Sequence, residues 1–561
     1  MEPFPDDIFN LADIALRVAR EDPERIAVIE PHGRSGGKRI YKRYTYKKLS
    51  EDAESVAPGL RQMGVSEGTR IVCMAPPSYE SSVLGLAFTR VGAFTIWIDP
   101  SVGYRNVGER LRRVHPEGFL GIFLSHLGRI IFGWGPRRMD KLLGAGRPGF
   151  PGARTVESLR REAPSEPAPP AVTPDDPCIV LYTTGSTGPA KPALYRHRDF
   201  CQLFRNAHLS WRFWQDGETP VDMAVFPAFL FIPISAGGTM VVPPIDFARE
   251  GPAKVDSGAL VEVINDCGVK SFFGAPVLLE NAARYAIENG ITMPSLIRVI
   301  GGGAPIFGPA EKALLQVMSP EGEVAANYGA TEAMPSTEME ARENLSDAWE
   351  KTEKGAGICV GRALPGVDLK IIDIIDGPID SIEETVELTG SKVGEILVRG
   401  KHVSPEYYLD EESTRKNKVP DEDGGAWHRF GDAGYLDDKG RLWVCGRVTQ
   451  RVRAENGPVF PLLCEPLFDA HPKVKRSGLV GVPGRAGELP VLCVEVEPQF
   501  RKADVTRLRD ELQALASESE VAESIHDILF KRRLPVDPRH NSKIERPELA
   551  RWAARQVRKG S

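Results

Sequence analysis

The spacing of apolar residues near the amino terminus switches between two periods. In "YTYKKLSEDAESVAPGLRQMGV" one face of a predicted helix collects the apolar side chains, namely Leu49, Ala53, Val56, Ala57 and Leu60, and "RIVCMAP" follows as a buried strand. The stretch "YESSVLGLAFTRVGAFTIWIDP" repeats the step from helix to strand. Alternation of this kind builds parallel sheets covered by helices, so the pattern predicts an α/β fold.

The pattern changes after Asp432. The hairpin-like run "GYLDDKGRLWVCGRVTQRVRAENG" has turn residues at 437–440 and near 456–457. Two apolar segments, "SGLVGVPG" and "LPVLCVEVEP", then precede a charged helix near 505–517. We therefore expect a large N-terminal domain, residues 1–446, and a small C-terminal α+β domain, residues 447–561, with a hinge near 447–450.

Two stretches combine apolar residues in unusual ways. Residues 223–245, "MAVFPAFLFIPISAGGTMVVPPI", are uncharged over 23 positions, but four prolines and a Gly-Gly pair interrupt them. Buried strands and a loop lining a pocket are therefore predicted in place of a membrane span. Residues 127–149, "LGRIIFGWGPRRMDKLLGAGRPG", mix apolar and basic side chains. We expect a solvated helix and loop there, with a membrane or partner contact as the alternative.

Composition narrows the class of protein. The chain has 561 residues, 42% hydrophobic and 26% charged, which is typical of a soluble globular protein with two or more domains. A net charge of -6 argues against nucleic acid as the main partner. The eight cysteines contain no CxxC pair, which favours reduced thiols over a zinc site or a disulfide framework. The acidic start, "MEPFPDDIFNLADIALRVARE", does not resemble a signal peptide, so a cytoplasmic location is expected.

The stretch "LYTTGSTGPAKPALYRH", residues 181–197, has the residue types of a phosphate-binding loop. Glycine N–H groups and short hydroxyls can surround an anion, and a lysine adds charge. A Walker loop is excluded, because Lys191 stands three residues after Gly188 and no hydroxyl follows it. The spacing resembles the phosphate loop of the adenylate-forming superfamily, which includes acyl-CoA synthetases and luciferases. The matching residues are Thr183, Thr184, Gly185, Ser186, Thr187, Gly188 and Lys191.

Further stretches resemble motifs of that superfamily in the same order along the chain. "GGGAP" (301–305) matches the segment beside adenine, "NYGATEA" (327–333) the YGxTE motif, "HRFGDAGYLDDKGRLWVCGR" the GDxG motif and its downstream Gly-Arg, and "PVDPRHNSKIERPEL" the carboxy-terminal lysine motif. The resemblance covers nearly the whole chain. It implies an N-terminal adenylation domain of parallel sheets covered by helices and a small mobile C-terminal domain.

The resemblance also implies a role for each matching residue. Tyr328 would stack on adenine, Thr331 would meet the α-phosphate, Glu332 would bind Mg²⁺ and Lys543 would drive adenylation. Asp432 would hold the ribose hydroxyls, and Arg447 the ribose or a phosphate. The remaining nucleotide contacts would be Gly303, Ala304, Pro305, Asn327 and Gly329. ATP is then a co-substrate and Mg²⁺ the metal, which together turn a carboxylate into an acyl-adenylate with release of pyrophosphate.

Departures from the common motifs indicate the branch of the superfamily. Thioester-forming members usually read Pro-Lys-Gly where this chain has 189–192, Pro-Ala-Lys-Pro; Thr449 replaces the usual hinge Asp or Lys, and Ser542 a common glycine. The chain resembles the olefin-biosynthesis β-lactone synthetases in "GWG" near 133, "GAGICVGRALPG", "WVCGRVTQRV", "GPVF" and "PVDPRHNSKIERPELARWA". Pro192 is not typical of that branch. The resemblance implies that a 2-alkyl-3-hydroxy fatty acid is adenylated and cyclised to a β-lactone. An acyl-CoA ligase and a non-catalytic nucleotide-binding scaffold stay as alternatives.

The acyl pocket and the partners follow less directly. Phe226, Phe229 and Phe231 are candidates for a water-poor wall, with plain core residues as the alternative. His197 and His428 are candidate bases, although a structural hydrogen-bonding role is the favoured interpretation. We expect small-molecule substrates, ATP and a hydroxy fatty acid, and no nucleic acid. A complex with neighbouring pathway enzymes and a peripheral membrane contact are left open.

Overall fold

The computed structural model describes residues 8–98, 104–136, 139–146, 148–161, 172–183, 189–213, 217–247, 250–422, 425–500, 505–536 and 544–560. Its helices are α1 (Leu11–Glu21), α2 (Tyr46–Gln62), α3 (Tyr79–Val91), α4 (Tyr104–Arg113), α5 (Phe123–Phe132), α6 (Val156–Arg161), α7 (His197–Trp211), α8 (Phe231–Ser235), α9 (Ser257–Cys267), α10 (Pro276–Glu288), α11 (Gly308–Val317), α12 (Ala341–Glu343), α13 (Trp349–Glu353), α14 (Glu411–Asn417), α15 (Pro461–Asp469), α16 (Val505–Ser517) and α17 (Arg546–Gly560).

Its strands are β1 (Ile26–Ser35), β2 (Lys38–Thr45), β3 (Arg70–Met74), β4 (Phe94–Trp97), β5 (Gly118–Gly121), β6 (Lys141–Gly144), β7 (Pro177–Tyr182), β8 (Pro192–Arg196), β9 (Val221–Ala224), β10 (Thr239–Val241), β11 (Ser271–Gly274), β12 (Arg298–Gly301), β13 (Glu323–Ala330), β14 (Ala333–Glu340), β15 (Ile358–Cys359), β16 (Arg362–Ala363), β17 (Val367–Ile372), β18 (Gly394–Gly400), β19 (Glu406–Tyr407), β20 (Lys418–Pro420), β21 (Ala426–Leu436), β22 (Leu442–Arg447), β23 (Val452–Ala454), β24 (Gly457–Val459), β25 (Val474–Pro483), β26 (Glu488–Val496) and β27 (Asp527–Phe530).

Two large sheets with parallel centres confirm the predicted α/β class. In one sheet the order is β19-β8-β7-β4-β3-β5-β6, parallel from β7 to β6. In the other the order is β16-β14-β13-β12-β11-β9-β10-β1-β2, with antiparallel strands at its two edges. The largest core lies between them and includes α1, α2, α3 and α7. Burial against both sheets supplies the hydrophobic stabilisation that holds these layers together.

The predicted helix near residue 50 is α2, and its apolar face is buried as expected. Leu49, Val56 and Leu60 are inaccessible to solvent. The helix begins after Thr45, whose hydroxyl accepts a hydrogen bond from the Lys48 N–H at 3.2 Å. A threonine cap satisfies one of the N–H groups that have no partner in the first turn. The buried strand predicted after it is β3.

The uncharged stretch 223–245 forms buried strands, as predicted, at its ends in β9 and β10. The prediction of a loop between them was incomplete, because a 3₁₀ turn, Pro227–Leu230, and α8 occupy that segment. Proline is tolerated in a first helical turn, since its missing N–H would have no partner there, and Pro227 starts the 3₁₀ turn. None of the helices in the described ranges combines the length and apolar character that a bilayer crossing requires.

The stretch 127–149 differs from the expectation in its second half. The predicted helix is α5, but residues 141–144 form the edge strand β6, where a loop was expected. The pair Leu142 and Leu143 aligns with Phe119 and Leu120 of β5 in a parallel register. A four-residue segment with only two large apolar side chains becomes a strand because a neighbouring strand edge is free to pair with it.

The changes predicted after Asp432 are confirmed at the level of elements. Strands β21 and β22 form a hairpin whose turn at 437–440 is closed by a hydrogen bond from the Gly440 N–H to the Asp437 carbonyl, 3.0 Å. Strands β23 and β24 turn at 456, and the charged helix is α16. Residues beyond Arg447 also pack two apolar clusters of their own, around β25 and β26. The division at 446/447 remains a prediction that these clusters support.

Candidate active site

The two ends of the predicted phosphate loop are joined by hydrogen bonds. The Thr183 N–H donates to the Lys191 carbonyl at 2.9 Å, and the Lys191 N–H donates to the Thr183 hydroxyl at 3.0 Å. These bonds extend the pairing of β7 with β8 to the base of the loop. Five predicted loop residues lie outside the described part of the chain, namely Thr184, Gly185, Ser186, Thr187 and Gly188, as does Lys543.

The YGxTE-like stretch forms a tight hairpin. Ala330 of β13 pairs with Ala333 of β14, so Thr331 and Glu332 form the two-residue turn at its tip. A Cβ at Gly329 would lie 2.4 Å from the Ala333 carbonyl oxygen, which explains why glycine stands there. The Tyr195 hydroxyl donates to the Thr331 carbonyl at 2.7 Å. The fold thereby attaches the tip to β8, the strand that follows the phosphate loop.

Glu332 is buried at this tip and has a defined partner. The Tyr407 hydroxyl donates a hydrogen bond to the Glu332 carboxylate. Burial and the adjacent carboxylate raise the pKa of Tyr407, so its phenol keeps the proton and acts as a donor. The Lys191 ammonium lies 5.3 Å from the centre of the Tyr407 ring and donates to the Asn417 side chain at 3.1 Å. The predicted metal ligand and the predicted phosphate-binding lysine thus both lie next to one tyrosine, Glu332 at its hydroxyl and Lys191 near its ring.

A second lysine, which the sequence analysis missed, lies in the same place. Lys418 is buried, its ammonium donates to the Ser404 carbonyl, and it lies 5.9 Å from the Tyr407 ring centre. Burial lowers the pKa of Lys418 to about 7. The pKa of Lys191 is lowered by burial as well. Neither Tyr407 nor Lys418 belongs to a motif, and only long-range packing of β19 and β20 brings them to Glu332.

The residues predicted around adenine and ribose are brought together. The Tyr328 hydroxyl donates to the Asp432 carboxylate at 2.8 Å, and Arg447 forms an ion pair with the same carboxylate at 3.2 Å. Arg447 also donates to the Phe430 carbonyl at 2.6 Å, and the Tyr328 and Phe430 rings lie 5.0 Å apart. Asp432 raises the pKa of Arg447, which keeps the arginine charged. Residues 104 positions apart in the chain therefore share one polar cluster.

The remaining predicted nucleotide contacts divide into two groups. Gly303, Ala304 and Pro305 follow β12 and are exposed or half-buried next to β13, as a segment beside adenine requires. The Asn327 side-chain amide instead donates a hydrogen bond to the Ser210 hydroxyl at 2.9 Å. Alternation along β13 places neighbouring side chains on opposite faces, so the Asn327 side chain points away from that of Tyr328.

The predicted acyl-pocket residues do not all lie together. Phe226 and Phe229 lie 5.8 Å apart, and each contacts Phe273, at 5.4 and 5.0 Å between ring centres. Phe273 in turn packs over Gly302, in the segment predicted to lie beside adenine. The Phe231 ring lies elsewhere, packed directly on Gly85 of α3. Phe226, Phe229 and Phe273 therefore form one aromatic cluster next to Gly302, and Phe231 is not part of it.

The two candidate histidines are both buried. His197 lies at the far end of β8 from the phosphate loop, against the backbone of Phe9, and burial lowers its pKa to about 4. The His428 Nδ1 donates to the Asn417 carbonyl at 3.2 Å, and burial, together with the nearby Lys418 and Lys191, lowers the pKa of His428 well below its usual value. Both environments suit neutral imidazoles. Only His428 adjoins the residues around Glu332.

The donor set fits Mg²⁺ held mainly by substrate. Within the described ranges, no three His, Cys, Asp or Glu side chains cluster as a metal cage would require. Glu332 supplies one buried carboxylate beside two lysines. Mg²⁺ commonly takes one or two protein carboxylates and completes its shell with water and phosphate oxygens. The arrangement agrees with that mode of binding.

Comparison with known proteins identifies the family. The model of the family described as AMP-binding enzyme matches residues 16–408. Olefin β-lactone synthetases of Stenotrophomonas maltophilia and Xanthomonas campestris are each 34% identical to this chain, over 98% of it and 99% and 98% of their own lengths. ATP-bound MatB of Rhodopseudomonas palustris shares the fold, with a TM-score of 0.74, 21% identity and coverage of 97% and 99%. The chain therefore belongs to the AMP-binding enzyme family and is an adenylate-forming ligase.

Proposed function

We propose that this enzyme converts a 2-alkyl-3-hydroxy fatty acid and ATP into a β-lactone, AMP and pyrophosphate. The observation that carries the proposal is full-length similarity, at 34% identity, to two proteins named olefin β-lactone synthetase. The departures from thioester-forming motifs at Pro192, Thr449 and Ser542 support a second half-reaction other than thioester formation. Adenylation is the first half-reaction and cyclisation the second.

In the first half-reaction the acid's carboxylate oxygen attacks the α-phosphorus, and the bond from that phosphorus to pyrophosphate breaks. Mg²⁺, when bound, would neutralise charge on the phosphate oxygens, and Glu332 would hold it. Tyr407 fixes the Glu332 carboxylate by donating a hydrogen bond, and Lys191 places a positive charge 5.3 Å from the centre of the same ring. By its motif position, Lys543 would supply the donor that stabilises the five-coordinate α-phosphate.

The polar cluster on Asp432 would hold the nucleoside. Tyr328 and Arg447 both bind the Asp432 carboxylate, so its oxygens are oriented before a ligand arrives. A preoriented carboxylate accepts hydrogen bonds from the two ribose hydroxyls at low entropic cost. Thr331, at the tip of the hairpin, would then face the α-phosphate, because its carbonyl is fixed by Tyr195.

In the second half-reaction the substrate's own 3-hydroxyl oxygen attacks the activated carbonyl carbon. A carbon–oxygen bond closes the four-membered ring, the bond between the acyl carbon and the AMP oxygen breaks, and the hydroxyl proton is released. An intramolecular nucleophile has a very high effective concentration, which offsets part of the ring strain. The wall of Phe226, Phe229 and Phe273 would keep water from competing for the acyl-adenylate.

The test compares two acids of the same chain length, one with and one without the 3-hydroxyl. Each is incubated with enzyme, ATP and Mg²⁺, with and without CoA, and the acyl product is identified by mass spectrometry. The hydroxy acid should yield AMP and a product lighter by one water in the absence of CoA, whereas the plain acid should stop at the adenylate. Lys543→Ala is the inactive control and should give neither product.

Two results would overturn the proposal in different ways. If CoA accelerates AMP release and acyl-CoA accumulates from both acids, the enzyme is an acyl-CoA ligase. If no acid gives pyrophosphate with the parent enzyme, the non-catalytic alternative holds. Each outcome has its own product, so a single set of incubations separates the three functions.

A further inference from the structure

Helix α5 turns its apolar side chains to solvent. Its exposed residues are Phe123, Leu124, Leu127, Ile130, Ile131 and Phe132. Ile130 and Ile131 are 59% and 62% exposed, among the largest values for apolar residues in the described chain. These side chains form one continuous face, because they are spaced three or four residues apart, as in 124, 127 and 131 and in 123, 127 and 130. A contiguous apolar face on a surface helix marks an interaction site.

The opposite face of α5 is anchored, so the helix cannot rotate to bury its apolar side. The Ser125 hydroxyl donates to the Met74 carbonyl at 2.9 Å, and His126 hydrogen-bonds the Leu143 carbonyl at 2.9 Å. The His126 ring stacks on Phe150 with the ring centres 4.7 Å apart. Gly128 lies under the Trp134 indole, where a Cβ would come within 2.8 Å of the ring. The apolar face is therefore held outward by specific contacts.

The chain around α5 is strongly basic. The described residues between 104 and 154 contain seven Arg and Lys and three Asp and Glu, a net charge of +4, whereas the whole chain has a net charge of -6. Arg105 and Arg112 of α4 are exposed. Arg112 donates to the Gly133 carbonyl at 3.3 Å, which places this guanidinium beside the carboxyl end of α5. Apolar side chains and positive charges thus share one surface.

This surface shares a sheet edge with the predicted phosphate loop. Strands β5, β3, β4 and β7 are parallel neighbours, so their carboxyl ends lie on the same edge. Helix α5 begins two residues after β5, and the predicted loop begins directly after β7. At about 4.8 Å between strands, three strand spacings separate the two starts by about 14 Å. A surface bound through α5 would lie close to the side from which substrates enter.

We propose that α5 is a docking helix for anionic phospholipid bilayers, with its apolar face in the acyl-chain boundary and the surrounding arginines on the lipid phosphates. Apolar insertion combined with positive charge is the chemistry by which interfacial helices bind membranes. Ten residues are too few to cross a bilayer, which needs about 20, so the contact is peripheral.

Charge favours a lipid surface over a second copy of this chain. A symmetric dimer through α5 would place two surfaces of net charge +4 against each other, because a two-fold interface pairs the same patch on both subunits. Anionic headgroups compensate this charge, and a like-charged partner does not. The proposal rests on α5 and its surroundings alone and does not depend on which acid the enzyme activates.

The experiment is vesicle flotation with the full chain. One set of vesicles contains phosphatidylserine and phosphatidylcholine, and the other only phosphatidylcholine. The protein should float with the anionic vesicles and far less with the neutral ones. Binding should weaken when salt rises from about 0.1 to about 1 M, since the screening length falls from about 10 to about 3 Å.

Variants separate the helix from the rest of the surface. Ile130→Gln/Ile131→Gln should reduce the partition coefficient by about tenfold or more, because two apolar side chains no longer leave water. Ile130→Leu/Ile131→Leu should keep it. The matched control is Leu209→Gln/Ile287→Gln, two exposed helical positions outside this surface, which should bind like the parent. Thermal unfolding midpoints of all variants report on folding.

Three outcomes would overturn the proposal. The parent protein could fail to float with anionic vesicles, or the Gln pair on α5 could float as well as the parent. The parent could also sediment as a dimer that the same Gln pair dissociates, with no vesicle binding, which would assign the face to a second copy. Pyrophosphate release measured without vesicles tests the proposed function separately.

Discussion

The hairpin that carries Thr331 and Glu332 permits a sharp prediction at Gly329. A Cβ there would lie 2.4 Å from the Ala333 carbonyl oxygen and 3.3 Å from the Met334 Cα, both backbone atoms of the opposite strand. A real Cβ does not approach closer than 3.0 Å, so in Gly329→Ala the strands must separate by at least about 0.6 Å. The backbone angle at Gly329 is not in the left-handed region, so the effect is one of space alone.

The expected effect is larger on catalysis than on stability. Overpacking of this kind costs about 1–3 kcal/mol, which lowers the unfolding midpoint by a few degrees. A displacement of about 1 Å at a reacting group costs about 10²-fold in rate, and the separation acts on the two residues at the tip. We expect pyrophosphate exchange into ATP, measured with a 3-hydroxy fatty acid, to fall by about 100-fold in Gly329→Ala.

The matched control is Gly251→Ala. Nothing lies within 4 Å of a Cβ at Gly251, and its backbone angle is also outside the left-handed region. This variant should keep both exchange activity and melting midpoint. The reasoning is refuted if Gly329→Ala exchanges pyrophosphate within about threefold of the parent, a barrier difference of less than about 1 kcal/mol, or if the control loses as much activity.

Four further predictions concern single charges at the site. Lys543→Ala should lower pyrophosphate release by about 10²–10³-fold while ATP binding, measured by calorimetry, is retained. Glu332→Gln should raise the Mg²⁺ concentration for half-maximal activity, and an unchanged metal requirement would remove its assigned role. Asp432→Asn should weaken AMP binding by about tenfold or more, because charge-assisted hydrogen bonds contribute about 1.5–3 kcal/mol. The control is Asp437→Asn, in the adjacent turn, which should reduce stability and leave AMP affinity unchanged. Burial lowers the pKa of Lys418 in the folded protein to about 7. Above that pH the unfolded chain binds more protons at this lysine than the folded protein does, so the destabilisation caused by Lys418 decreases from about pH 7 towards pH 10. Lys418→Met should therefore be most stabilising, relative to the parent, below pH 7, and denaturant unfolding at a series of pH values would show whether that gain shrinks as predicted.

Local sequence patterns correctly predicted the helices and turns that depend mainly on neighbouring residues in the chain. Helix α2 has its apolar residues on one face, and the turn at 437–440 has the Asp and Gly that such turns need. The edge strand β6 could not be predicted, because four residues become a strand only where β5 offers an unpaired edge. The helical segment between β9 and β10 could not be predicted for the same reason, since its burial depends on contacts with α3 and α7.

The site divides in the same way. Motif spacing led to Tyr328, Asp432 and Arg447, and the structure joins them in one hydrogen-bonded cluster. Tyr407 could not be found from sequence, because its relation to Glu332 spans 75 residues and involves no motif. The converse holds for Phe231, an aromatic in the right stretch whose ring packs on Gly85. The sequence therefore indicates which segment a side chain belongs to, but the residues that the fold packs against it determine its role.

The charged residues around Tyr407 should make the site favour anions, and no single motif indicates this preference. Lys418 and Glu332 are buried and Lys191 is half-buried next to them, so the cluster has two lysines and one carboxylate. Burial lowers the pKa of both lysines, which means that each would gain from an anion placed nearby. In the proposed reaction the triphosphate of ATP would supply that anion. The free energy lost in burying the lysines would then be recovered in part on binding ATP, so the same charges would weaken the fold and favour the nucleotide.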